Sequence, residues 1–151
     1  MVTIFSLIKY SIESVFQNRT PRTVKMKYEE AKMYLLGKPE AREDYPFGPD
    51  ILVPKIRGKM FATLGTEQGT GRMNLKCNPD QALALRDIFS AVIPGYHMNK
   101  KHWNTVILDG SIPTGEIARM IDHSYALVVK GLTRVEKESL HLRYSQQELY
   151  S

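Results

Sequence analysis

The sequence predicts an α+β fold: a helix, three strands, a helix, two strands and a helix, with one further helix ahead of them. Two observations predict it. Short runs alternate apolar and polar residues and are punctuated by Gly, Asn or Asp, the pattern of strands joined by tight turns. Longer runs repeat apolar residues at helical spacing, and Pro or Asn-Pro opens two of them. Connections of hairpin length make consecutive strands antiparallel.

The first element is an amphipathic helix. Ile4, Phe5, Ile8, Ile12, Val15 and Phe16 share one face, and Ser6, Lys9, Tyr10, Glu13 and Gln17 fill the other. Its polar face is not rich in Lys or Arg, which favours docking on the domain or on a second copy of the chain over a membrane surface. Lys9 and Glu13 interrupt the apolar run, and no small-residue cleavage site follows it. Both features argue against a signal peptide and a membrane span. Residues 17–24, with Pro21 and two arginines, read as a linker.

From 25 to 37 a second helix places Tyr28, Ala31, Leu35 and Leu36 on one side, and Gly37 and Pro39 end it. Residues 44–50 hold two prolines and a glycine and predict an irregular, turn-rich entry, with Tyr45 and Phe47 as core plugs. Strands follow at 51–56 and 59–64, joined at Arg57-Gly58. Pro54 cannot donate to a ladder, so the first strand is expected at an edge or at a bulge. In the second, Met60, Ala62 and Leu64 alternate with Lys59, Phe61 and Thr63. Residues 65–71 read as a flexible hairpin tip. They lack the Gly-Lys-Ser/Thr ending and the following helix of a phosphate-binding loop.

Residues 72–77 alternate cleanly. Met73, Leu75 and Cys77 point inward, while Arg72, Asn74 and Lys76 form a wet, basic face. Asn78 caps and Pro79 opens a helix that runs to about 89 and buries Ala82, Leu85, Ile88 and Phe89. A strand is expected through 96–98, a turn at 99–102 and a strand from 103 to 108. Pro113 opens the last long helix, with Ile117, Met120, Ile121, Tyr125, Val128 and Leu132 as its inner stripe. Residues 133–151 form a polar C-terminal tail, in which 135–150 read as a frayed or docked helix. The domain proper is thus expected at 25–132, with 1–24 appended.

Length and composition bound the function. The chain has 151 residues, 42% hydrophobic and 25% charged, which fits one globular domain with appended elements. Cys77 is the only cysteine. It excludes an intrachain disulfide and a multi-cysteine metal site, and fits a reducing cytoplasm. The net charge of +5 lies wholly between Ile51 and Leu108, where eight basic residues face three acidic ones. A basic surplus of this kind favours polyanions.

Several motifs together resemble the MmcQ/YjbR family of small bacterial proteins. They are Tyr45-Pro46-Phe47-Gly48-Pro49-Asp50, Gly58-Lys59-Met60-Phe61-Ala62, Asn74-Leu75-Lys76-Cys77, Pro94 through Val106, Leu108-Asp109-Gly110-Ser111 and Ile121-Asp122-His123-Ser124-Tyr125. The resemblance covers roughly 25–132. It implies an antiparallel sheet with helices packed on one face, in agreement with the element count above. It also implies DNA binding, with the two hairpins acting as wings. The family has no agreed catalytic residues to carry over.

On that reading, Arg72, Lys76, Lys100 and Lys101 contact phosphates, with Arg57 and Lys59 at the first hairpin. Asn74, Asn99 and Asn104 add hydrogen bonds to phosphates or base edges. His102 and Trp103 adjoin the lysine pair, and an exposed Trp stacks on an unpaired base. A Trp at the head of a strand also reads as core. The bland reading of Tyr96, His97 and Trp103 is a polar network fixing the hairpin against the last helix, with Asn99 and Asn104 satisfying turn backbone; the alternative is a small-ligand pocket. For a metal site, His97 and His102 stand five apart across the expected hairpin tip, a spacing that lets them converge, but the carboxylates of Asp109 and Asp122 match no recognised ligand spacing, and His123 reads as buried or half-buried against the hairpin. Cys77 points inward, where a thiol is inert. The sequence therefore predicts a non-enzymatic, cytoplasmic binding module without cofactor, metal or membrane contact, and with DNA as partner. The alternative is a protein-interaction or small-ligand module whose N-terminal helix makes a dimer or partner contact.

Overall fold

The computed structural model describes residues 25–151. The appended helix and linker expected at 1–24, and any dimer contact they make, lie outside the described residues. The elements are α1 (Tyr28–Leu36), β1 (Arg42–Asp44), β2 (Val53–Ile56), β3 (Lys59–Met60), β4 (Ala62–Glu67), β5 (Thr70–Lys76), α2 (Pro79–Ile88), β6 (Val92–Pro94), β7 (Trp103–Leu108), α3 (Thr114–Lys130), α4 (Arg134–Arg143) and α5 (Gln146–Tyr150). The strands form two antiparallel sheets, ordered β1-β2-β3 and β4-β5-β7-β6. The predicted α+β class and antiparallel pairing hold, with the strands divided between two sheets.

The division falls at Phe61. The run expected as one strand over 59–64 breaks there into β3 and β4. Phe61 N–H donates to Pro54 O at 3.2 Å, and Pro54 has no N–H to return the bond. The chain therefore leaves β2 and passes to β5. Phe61, Ala62, Thr63 and Leu64 are all buried, so the expected alternation is lost at the break. One bridge still joins the sheets, where Leu52 and Leu64 exchange backbone hydrogen bonds of 2.9 and 2.8 Å. Pro54 thus sits in the middle strand of the small sheet, opposite Glu43 of β1, and not at an edge.

β1 carries no sequence signal, because all three of its residues are exposed. Tyr45 and Phe47 are not core plugs: both are exposed, Phe47 by 63%. The turns are tight. Arg57-Gly58 has φ of 51° and 78°, and Gln68-Gly69 has 50° and 79°, the paired positive values of two-residue hairpins. Because Gln68 and Gly69 suffice for the second turn, the segment read as a loop over 65–71 is mostly strand.

Asn78 caps α2 by accepting from Asp80 N–H, with Pro79 in the first turn. Ala82 is buried, and Leu85 and Phe89 are half-buried. Ile88, expected inside, is 67% exposed. It lies about 120° around the helix from Ala82, off the stripe that meets the sheet. α3 buries Ile117, Met120, Ile121, Tyr125 and Val128 as predicted, and Tyr125 meets Phe61 edge-on at 5.2 Å. The polar C-terminal segment is docked in two helices. Thr133 and Ser145 cap them, and Leu140 and Leu149 are fully buried in the same core as α3.

Candidate nucleic-acid interface

The four-stranded sheet turns Met73, Leu75, Val106 and Leu108 toward the helices. Its other face is built by period-2 alternation. Arg72, Asn74 and Lys76 of β5 are half-buried there, opposite Ile107, Thr105 and Trp103 of β7. The 95–102 loop folds back over this face. Tyr96 N–H donates to Thr105 Oγ1 at 2.9 Å, Thr105 Oγ1 donates to Asn74 Oδ1 at 2.5 Å, and Asn74 Nδ2 donates to Tyr96 O at 3.3 Å. This closed ring of three bonds buries Thr105 and occupies Asn74, so Asn74 braces the loop instead of reaching out for a phosphate or base.

The strand expected at 96–98 is part of that loop. His97 has φ of 58°, a left-handed value that no strand residue adopts. A Cβ on Gly95 would lie 2.9 Å from both Trp103 Cβ and Trp103 O, so only glycine permits this close turn. The turn expected at 99–102 is present. Asn99 Oδ1 accepts from Lys101 N–H at 3.0 Å, and His102 O accepts from Cys77 N–H at 2.7 Å.

Asn104 is buried on the helix side of β7. It donates to Ala82 O at 3.3 Å and accepts from Arg86 Nε at 2.7 Å, and so it is closed to an external partner. Arg86 also donates to Lys100 O and to Trp103 O, tying α2 to the C-terminal side of the loop. Sequence reasoning passed over Arg86. Its only signal is position, one helical turn after Ala82.

The surface of the loop is aromatic and basic. Tyr96 is 60% exposed and its ring lies 4.0 Å from that of His97. Lys100, Lys101 and His102 are exposed, and Trp103 is half-buried, neither fully core nor free. Lys100 Nζ donates to Gly95 O at 3.2 Å. Lys76, beside Trp103 in register, adds a third cation.

The remaining cations expected on this face divide differently. Arg72 pairs with Glu67 at 2.9 Å. Arg57 and Lys59 belong to the small sheet. Arg57 makes two bonds to the Glu40 carboxylate, at 2.9 and 3.3 Å, and one to Ser139 Oγ at 3.1 Å. Lys59 is exposed on β3. The expected single basic face is thus reduced to the cluster around the loop.

The residues weighed for a metal are otherwise engaged. Asp109 accepts from Ser111 Oγ and N–H at 2.6 and 2.9 Å, which holds its carboxyl below the usual range. Asp122 accepts from the Tyr34 hydroxyl and from Lys38 Nζ, the latter at 2.7 Å. His123, expected against the hairpin, is exposed on α3. Among the described residues, no three His, Cys, Asp or Glu side chains come together as a metal-binding group. Cys77 is buried, which pushes its thiol pKa up against the nearby Arg86 charge.

Fold and surface together define a small α+β domain: two antiparallel sheets, helices over one face of the larger, and a braced loop over the other. The YjbR family model matches residues 36–127, and the chain belongs to the YjbR family. It is 37% identical over 111 residues to the uncharacterised protein YbdF of Escherichia coli O157:H7, covering 74% of this chain and 91% of that one. It is 32% identical over 115 residues to the uncharacterised protein YjbR of Escherichia coli K12, covering 76% and 98%. A crystal structure of a Deinococcus radiodurans protein with a DUF419 domain superposes with a TM-score of 0.72 at 32% identity, covering 80% of this chain and 91% of that one. A Pseudomonas syringae crystal structure gives 0.60 at 29% identity, covering 68% and 98%. No helix among the described residues is long and apolar enough to cross a membrane.

Proposed function

We propose that this YjbR-family domain is a cytoplasmic, non-enzymatic DNA-binding module whose contact surface is the 95–102 loop with Lys76 beside it. One observation carries the reading. Lys76, Lys100 and Lys101 have no carboxylate partner among the described residues, and they flank the exposed Tyr96 and His97 rings. Ammonium groups without a counter-charge neutralise phosphates. Exposed rings stack on bases that are not paired, so single strands are favoured over duplex. Arg57 and Arg72, already compensated by Glu40 and Glu67, contribute little.

The test is a titration of labelled single-stranded and duplex DNA at two salt concentrations. Wild type binds, more tightly to the single strand. Lys100→Ala with Lys101→Ala weakens binding and lowers the magnitude of the single-strand salt slope by about 1.4. Failure of the wild type to bind at low salt would remove the reading.

A further inference from the structure

The loop is not the only charged site. Between the small sheet and α4 lies a cleft of about 550 Å³, within the usual range for small-ligand sites. It is lined by Arg42, Lys55, Arg57 and Arg143 against Glu40, Glu43 and Asp44. Lys55 and Asp44 neutralise each other at 2.6 Å. Glu40 is shared by two guanidinium groups. Arg57 takes both of its oxygens, while Arg143 Nη1 stands 3.6 Å away, beyond hydrogen-bond reach. Arg42 has no carboxylate partner among the described residues, and Glu43 accepts from the Tyr45 hydroxyl. Arg42 and Arg143 therefore line the cleft, from β1 and from α4, with no carboxylate hydrogen-bonded to either among the described residues.

The floor of the cleft is held in a costly conformation. Glu40, in the connection after α1, has φ of 56°, a left-handed value for a residue with a side chain, whereas the 51° of Arg57 belongs to its hairpin turn. Backbone strain of this kind persists where the surroundings enforce it, and it collects at functional sites. Here the two-bond Glu40–Arg57 pair anchors Glu40, and the Arg57–Ser139 bond ties the hairpin to α4. The Glu40–Arg57 pair thus forms a fixed floor, and the Arg143 side chain beside it is 66% exposed.

We infer that this cleft binds a small ligand bearing a carboxylate or phosphate group, gripped between Arg42 and Arg143 above the fixed Glu40–Arg57 pair. A planar guanidinium matches two oxygens of either group, and the bonds formed are charge-assisted. The site is independent of the DNA-binding loop.

The test is thermal unfolding of the full chain in chloride, inorganic phosphate or succinate at matched ionic strength. Phosphate or succinate at about ten times its dissociation constant raises the midpoint by about 3–5 °C over chloride, and the larger shift identifies the favoured group. Arg42→Gln with Arg143→Gln abolishes the shift. Lys100→Ala with Lys101→Ala keeps it. Both arginine side chains are on the surface, so the variant folds, and amide spectra of the wild type provide a second readout at residues 42–44, 55–58 and 139–143. No shift beyond chloride in either anion, or a shift that survives in the double Gln variant, overturns the inference.

Discussion

Ser124 illustrates how one side chain repairs the break between the sheets. Its hydroxyl donates to Phe61 O at 2.5 Å and accepts from Lys76 N–H at 2.9 Å, with the residue fully buried. Ser124→Ala strands both backbone groups, and urea unfolding should record a loss of about 1–3 kcal/mol with an unchanged slope. The sequence discloses Ser124 only as a small residue inside an apolar stripe. Its partners, Phe61 at the break between β3 and β4 and Lys76 at the end of β5, are distant in the chain. Tyr125, next to it, donates to Pro39 O at 2.7 Å. Burial pushes its phenol above the ordinary tyrosine range. The unfolded chain releases that proton near pH 10 and the folded chain does not, so stability is full below about pH 10 and falls as pH rises past it. Tyr125→Phe should cost about 1 kcal/mol at neutral pH and flatten the alkaline fall. Denaturation at pH 8 and pH 11 measures both. Tyr144, whose phenol is also raised by burial, keeps some slope in the variant.

At the level of elements, several signals carried by neighbouring residues match the structure. Asn78-Pro79 and Pro113 mark helices, the alternation over 72–77 marks β5, and Gly58 marks a hairpin, because each signal is carried by adjacent residues. Three departures have tertiary causes. β1 exists only because β2 pairs with it. The split of β3 from β4 depends on the missing N–H of Pro54 opposite Phe61. The 96–98 segment reads as strand until Gly95 and His97 are seen to turn it onto the sheet. Gly95→Ala tests that last point. A Cβ there collides with Trp103, so the loop must lift, the Trp103 emission should shift, and single-strand affinity should fall. Gly69→Ala is the control. Nothing lies within 4 Å of its added Cβ, so it should cost about 1–2 kcal/mol through its positive φ alone and leave DNA affinity intact.

Over the whole molecule, the basic surplus of the central segment was legible, but its distribution was not. Charge counting cannot see that Arg57 serves Glu40, that Arg72 serves Glu67, or that Arg86 turns inward to hold Asn104 and the loop. What remains is a compact set of cations and rings on one side of the large sheet, and a separate charged cleft beside α4. The C-terminal helices, which read as a polar tail, close the core through Leu140 and Leu149 and supply the cleft's Arg143. The most direct measurement is an amide chemical-shift titration of labelled protein with a single-stranded oligonucleotide at low salt. The account predicts shifts concentrated at Asn74, Lys76 and residues 95–103, fading as salt is raised. Shifts absent from that surface, or confined to the small sheet and α4, would contradict it.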